Sequence, residues 1–290
     1  MKARRVPASR LDEIPGEDWV DPERRVYVRD GTAYVPVREG RSFEVEIPER
    51  KEYAGRGYQM VGDVALVHGR RPTPAEVEKI VRWARPRGVL HIEGCEGAMR
   101  IPKTVLLQGT AGPVLHREGG CTFFLDPGEV MFAMGNREEK ARIAGLVREG
   151  ERVADMFAGI GYFSIPVAKA GGLVHAMELN AIAYGYLLQN CAANRVSGRM
   201  IPECGDSREL LRGVYDRILM GHFDAPRMIG DALRHAGPGT VLHVHAVGRE
   251  DEEGIRGAVE QAGFSASVSY HQVKKYAPGR WHGVWDVVLA

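Results

Sequence analysis

The sequence predicts two architectures in one chain: an α+β region over residues 1–148 and an open, mostly parallel α/β domain over residues 149–290. Three observations carry this. From residue 151 strand-like and helix-like segments alternate, the pattern of a parallel sheet covered on both faces. The alternation stops at the C-terminus, where "FSASVSYHQVKKYAPGRWHGVWDVVLA" holds two strands with no helix between them, which predicts a terminal antiparallel hairpin. The first strand of the alternating part runs directly into "DMFAGIGYF", residues 155–163, a glycine turn that either binds a nucleotide-like ligand or closes a tight loop.

In the N-terminal region, residues 26–48 read as strands, with "RDGT" as the hairpin turn. Residues 72–84 predict a helix, with Ala75, Ile80, Val81 and Ala84 as a partial apolar stripe and Thr73 and Glu76 spaced as a capping box. Residues 113–132 predict a hairpin with two turns, and 134–148 a linker helix. A sub-boundary is expected near 55–62. In the α/β part, "RVADMF", 173–178, a segment within 199–206, 215–221 and 239–247 read as strands. Residues 162–170, 181–195, 225–236 and 250–262 read as helices.

The totals set bounds. A chain of 290 residues with 44% hydrophobic content supports two cores. The formal net charge is +1, so the whole chain is not a strong polyanion binder. The charge is uneven: residues 1–148 hold 25 Lys and Arg against 22 Asp and Glu, and residues 149–290 hold 14 against 16. The N-terminal region is therefore the side to meet a nucleic acid, or it carries a solvated charged face. The four cysteines form no C-x-x-C pair, which predicts a reduced, cytoplasmic protein without a structural metal. The charged start "MKARRVPASRLDEIPGEDW" lacks an apolar stretch, so no signal peptide is expected, and no apolar run is long enough for a membrane span.

Three acids end successive predicted strands: Asp155, Glu178 and Asp206. Ligands of open α/β sheets bind at these carboxyl ends. The acids would repel a pyrophosphate and suit a ligand carrying an adenosine and a positive centre, as S-adenosylmethionine does. Glu178 is placed to accept hydrogen bonds from ribose hydroxyls. Asp206 also fits a plain helix N-cap.

The segments "DMFAGIGYFSIPVAKAG", "ELNAIAYGYLLQNCAANRV", "GDSREL" and "VKKYAPGRWHGVWDVVL", with "HREGGCTFFLDPGEVMFAMGN" upstream, resemble the class I S-adenosylmethionine-dependent transferases, Rossmann-like with a terminal antiparallel hairpin. Within them the chain resembles the archaeal and eukaryotic tRNA guanosine-37 modification group over residues 90–290. That group contains guanine-N1 methyltransferases and wybutosine-synthesising aminocarboxypropyltransferases. The resemblance implies a ligand site formed by Phe157, Ala158, Gly159, Gly161, Phe163, Asn180 and Ser207 beside the three acids. Where the methylating members carry an Asn-Leu-Pro or Asn-Pro-Pro motif, this chain has Met220, Gly221 and His222, which resembles the aminocarboxypropyl branch. The implied acceptor is carbon 7 of the tricyclic wyosine precursor in tRNA, with methylthioadenosine leaving. His222 is then a weak base for the ring proton, or a polar loop residue.

In the linker, the family's Phe-Ser-x-Gly-Asn-x-x-Glu-Arg pattern implies a grip on the aminocarboxypropyl tail. Here Ala133 stands for the Ser, Asn136 is kept and Lys140 stands for the Arg, with Arg137 or Arg142 as substitutes. The other reading is an amphipathic linker helix with exposed charges. The implied partner is the anticodon loop of a tRNA, met by a monomer through Arg70, Arg71, Arg82, Arg85, Arg87, Arg100 and Lys103. Tyr58 and Trp83 are stacking candidates, with Trp83 also readable as core. Methyl transfer to guanosine 37 and tRNA binding without turnover are the alternatives.

Overall fold

The computed structural model describes residues 1–14, 16–47, 53–97, 99–277 and 279–290. The chain divides into two compact units, Met1–Ala54 and Gly55–Ala290. Residues 55–148, read from the sequence as part of an N-terminal region, thus pack with residues 149–290.

The first unit is a four-stranded antiparallel sheet of β1 (Lys2–Pro7), β2 (Tyr27–Arg29), β3 (Thr32–Pro36) and β4 (Val45–Glu46), in the order β2-β3-β1-β4. The β2–β3 turn is Asp30-Gly31, with both φ angles positive at 48° and 74°. A two-residue hairpin with this twist needs left-handed residues at both positions. Ala33, Val35 and Val37 alternate on one buried face, and Ala3, opposite Pro36, is buried on the other.

The second unit opens with β5 (Gln59–Val61), β6 (Val64–His68), α1 (Pro74–Ala84), β7 (Gly88–Glu96) and β8 (Ile101–Gly109). They form a sheet in the order β5-β6-β7-β8, in which only β6 and β7 are parallel and α1 is their crossover. Thr73 accepts from the Glu76 N–H and Glu76 accepts from the Thr73 N–H, a complete capping box. The buried face of α1 is Val77 and Ile80, whereas Ala75 is exposed. Trp83 is 42% exposed, so its core reading is corrected.

A hairpin of β9 (Val114–Glu118) and β10 (Cys121–Leu125) follows, then a short 3-10 turn over Met134–Asn136 and α2 (Arg137–Leu146). The remaining elements are β11 (Arg152–Asp155), α3 (Ser164–Lys169), β12 (Leu173–Glu178), α4 (Ala181–Ala193), β13 (Met200–Cys204), α5 (Ser207–Leu210), β14 (Arg217–Met220), α6 (Ile229–Leu233), β15 (Val241–Val247), α7 (Glu252–Gln261), β16 (Ala266–Ala277) and β17 (Arg280–Leu289). Their sheet runs β13-β12-β11-β14-β15-β17-β16, parallel from β13 to β15, with β17 antiparallel to both neighbours. The order reverses at β11, and such a switch point opens a crevice beyond the strand ends. Side-chain amides join the β9–β10 hairpin to this domain. Asn190 exchanges hydrogen bonds with the Phe124 backbone (2.6 and 3.1 Å), and Asn194 does so with Thr122 (2.9 and 2.6 Å). These bonds satisfy the free edge of β10, whose polar groups would otherwise need water.

Candidate active site

The crevice at the switch point is a cleft of about 700 Å³, a size suited to a drug-sized ligand. Its walls are the loop after β11, the ends of β12, β13 and β14, the turn before α2, and the β16–β17 hairpin.

The loop is shaped from beneath. Asp155 is fully buried and accepts from the Ser164 hydroxyl (2.6 Å) and the Phe157 N–H (3.2 Å). Burial pushes its pKa up to about 6. Asp155 is therefore a brace under the loop and not a wall of the cleft. Ala158, Gly161 and Met220 also lie behind the wall. The Ala158 N–H donates to the Met177 carbonyl (2.9 Å), a Cβ on Gly161 would meet Ile165 at 2.5 Å, and Met220 is fully buried. Gly159 does face the cleft. Its φ is +57°, a Cβ there would lie 2.7 Å from the Tyr162 ring, and its N–H donates to Glu178 Oε2 (2.7 Å). Only glycine meets all three demands.

Glu178 accepts a second backbone N–H, from Asn180, on Oε1 (2.7 Å). Each oxygen keeps a lone pair, so the carboxylate is held in position and can still accept from a diol. Burial raises its pKa. Asn180 caps α4 through the Ile182 N–H (3.0 Å). Asp206 caps α5 through the Arg208 N–H (2.9 Å), and the Arg208 side chain pairs with it and lowers its pKa. The N-cap reading of Asp206 therefore holds for a residue that also lines the cleft with Ser207, Phe157 and Phe163.

Ala133, Asn136 and Lys140 reach the same cleft, but Lys140 does not reach it as a free group. Lys140 is 4% exposed and ion-paired with Glu118, with its ammonium 5.0 Å from the Phe132 ring centroid. Arg142 grips Glu139 (2.8 and 2.6 Å) and Asp286 (2.6 and 3.1 Å). The expectation of exposed charges along the linker helix fails for Glu139 and Lys140, both buried. Arg137 is exposed. On the cleft wall, Lys274 and Arg100 have no acidic partner among the described residues; the Arg100 guanidinium lies 4.8 Å from the Phe223 ring centroid. Burial lowers the Lys274 pKa, helped by Arg100 and Lys140.

At the end of β14, Gly221 and His222 face the cleft. His222 Nδ1 accepts the Asp224 N–H (3.1 Å), and its ring stacks on Phe157 at 5.3 Å. Burial and then Arg100 lower its pKa, so the imidazole is neutral and carries its proton on Nε2. That Nε2, Asn136 Oδ1, Tyr162 OH and His282 Nδ1 are buried polar atoms of the wall without partners among the described residues. Such atoms are rare unless something else meets them. Together they offer hydrogen-bond donors and acceptors to a polar ligand in the cleft. A second hollow of about 770 Å³ shares Arg100, Phe132, His222, Phe223 and Tyr276 with the cleft and extends along β6, β7 and β8.

Sequence reasoning assigned no role to Tyr162, Phe223, Lys274 or His282. Lys274 and His282 stand in "VKKYAPGRWHG", a stretch that carried the family resemblance without a stated function. Among the described residues no helix is long and apolar enough to cross a membrane.

Sheet order, glycine loop and acid-lined cleft define a class I α/β transferase domain. The family model described as TRM5/TYW2 methyltransferase domain matches residues 114–267. The chain belongs to this family of S-adenosylmethionine-dependent tRNA-modifying transferases. It is 35% identical, over 80% of its length and 97% of the relative's, to the tRNA(Phe) (4-demethylwyosine(37)-C(7)) aminocarboxypropyltransferase of Methanocaldococcus jannaschii. The crystal structure of M. jannaschii TYW2 in complex with AdoMet matches with a TM-score of 0.65 and 31% identity, over 80% of this chain and 99% of that one. That of Trm5b from Pyrococcus abyssi matches with a TM-score of 0.75 and 25% identity over 100% of both chains.

Proposed function

We propose that this protein transfers the 3-amino-3-carboxypropyl group of S-adenosylmethionine to C7 of the tricyclic wyosine precursor at position 37 of tRNA(Phe), releasing methylthioadenosine. The observation that carries the reading is the end of β14. There Gly221 and His222 face the cleft, and the Asn carbonyl expected of a methylating enzyme is missing from the sequence. The identity to the M. jannaschii aminocarboxypropyltransferase supports it.

In this reading Glu178 accepts from the two ribose hydroxyls, and Asp206 and Ser207 meet the adenine edge. Asn136 accepts from the tail ammonium and Lys274 faces the tail carboxylate. Holding the tail turns the γ-carbon rather than the methyl toward the acceptor, so orientation selects the reaction. The acceptor base, taken out of its stack, fills the second hollow. His222 donates its Nε2 proton as a hydrogen bond to the acceptor. Of the basic residues considered for tRNA, Arg70, Arg82, Arg87 and Lys103 pair with Glu76, Glu78, Asp63 and Glu96. Arg71, Arg85 and Arg100 have no acidic partner among the described residues and are the stronger candidates for phosphate contact.

The alternative, methyl transfer to guanosine 37, is favoured by one observation: the Trm5b match extends over the whole of both chains. Donor labelled separately in its methyl and carboxyl carbons, offered with tRNA carrying guanosine or the precursor at position 37, separates the two. Carboxyl label entering only the precursor tRNA is expected. Methyl label in the guanosine tRNA would overturn the proposal, and tight binding without either product would leave a non-catalytic tRNA-binding protein.

A further inference from the structure

The β16–β17 hairpin contributes a second histidine to the cleft. His282 on β17 stands opposite Lys274 on β16. It is 1% exposed, and its ring packs edge-on to Phe223 at 5.0 Å. Its Nε2 lies 2.9 Å from Nδ1 of His245, itself buried on β15, while its own Nδ1 has no partner among the described residues. His282, which lines the cleft, therefore has one nitrogen held by His245 and one without a partner among the described residues. Burial, then Lys274 and Arg100, push its pKa down to about 4, so the ring is neutral.

The two cleft histidines are held differently. A backbone N–H occupies Nδ1 of His222, which leaves that ring only a donor to offer. His282 meets another imidazole, so it can donate from Nε2 to His245 and keep Nδ1 as a free acceptor. We infer that His282 is a catalytic residue of the aminocarboxypropyl transfer, its Nδ1 taking the proton that the acceptor carbon loses. The inference rests on the reaction proposed above. The acceptor C7 forms a bond to the γ-carbon of the donor, and the γ-carbon–sulfur electron pair leaves on neutral methylthioadenosine. The C7–H proton then moves to His282 Nδ1, its electron pair restores ring conjugation, and the proton passes on to water. A cationic ring adduct is a strong acid, so a weakly basic imidazole suffices, and Lys274 and Arg100 beside the ring keep it unprotonated and ready to accept.

The test compares wild type, His282→Gln and His282→Asn in single-turnover transfer to precursor tRNA bearing hydrogen or deuterium at C7. Gln keeps a polar group at the Nε2 position facing His245, and Asn keeps one at the Nδ1 position facing the cleft. Calorimetry with S-adenosylmethionine and a melting curve check that both variants fold and bind the donor. The expected result is a loss of about 10²-fold or more in His282→Gln with a primary isotope effect that wild type lacks, and a smaller loss in His282→Asn. A wild-type rate in His282→Gln, or a slow rate without an isotope effect, overturns the role of His282. Methyl transfer by the wild type overturns the proposed reaction and this role with it, and that failure is visible before any variant is made.

Discussion

The linker helix α2 and the β16–β17 hairpin border the same cleft, and each brings a lysine to it. Lys140 of α2 is closed off by Glu118, and its neighbour Arg142 by Glu139 and Asp286. Lys274 of the hairpin has no acid against it among the described residues. The two lysines differ less in chemistry than in what was folded onto them. A buried cation with a buried anion is a structural unit, and removing one partner strands the other. A half-buried cation facing a cleft keeps its charge for a ligand.

The largest expected effect tests the closed side. Lys140→Met leaves Glu118 buried without its counter-charge and should cost about 3–5 kcal/mol in denaturant titration. Lys274→Met keeps the aliphatic stem and should cost less than about 1 kcal/mol. Equal losses would erase the contrast between the two regions.

Glu178→Ala tests the part of the cleft that both regions share. Loss of two charge-assisted ribose bonds should weaken S-adenosylmethionine binding by roughly 100-fold or more in calorimetry. Unchanged affinity would remove the ribose assignment. Lys274→Met should weaken the same ligand by about 10- to 100-fold and spare methylthioadenosine, which lacks the tail carboxylate. If both ligands weakened alike, the hairpin would hold the nucleoside and not the tail.

The smallest effect is a pH slope shared by the two regions through Asp286. Burial opposes ionisation of Asp286, but His243 and Arg142 hold its carboxyl well below the usual range. That stability is present above the unfolded value, about 3.9, and is lost as pH falls. Burial lowers the pKa of His243, His245 and His282, so between about pH 4 and 6.5 the unfolded chain binds protons that the folded chain refuses. The histidines make stability rise with pH across that window, and Asp286 makes it rise below about pH 4. Asp155, pushed up to about 6, runs the other way and reduces the slope. Denaturation midpoints at pH 4.5 and 6.5 check the sign. A lower midpoint at 6.5 would mean that the raised carboxyls, Asp155 and Glu178, outweigh the histidines.

Local pattern carried much of the fold. Alternation from residue 151, the Thr73–Glu76 cap and the Asp30-Gly31 turn are short-range, so the segments that hold them also show them. Strands β7 and β8 escaped notice because much of their length is exposed and they show no clean apolar period. In the site, Glu178 and Asp206 were legible as acids at strand ends. Asp155, in the same kind of position, turned beneath the loop because Ser164, nine residues on, donates to it.

The sequence by itself determined the alternation of elements from residue 151, the glycine loop and the acid set, since each follows from spacing along the chain or from turn chemistry. Tertiary structure alone decided which charges remain available. Glu118 meets Lys140 across 22 residues, Asp286 meets Arg142 across 144, and His245 meets His282 across 37. Pairings that distant are set by strand register and packing, and no local pattern encodes them.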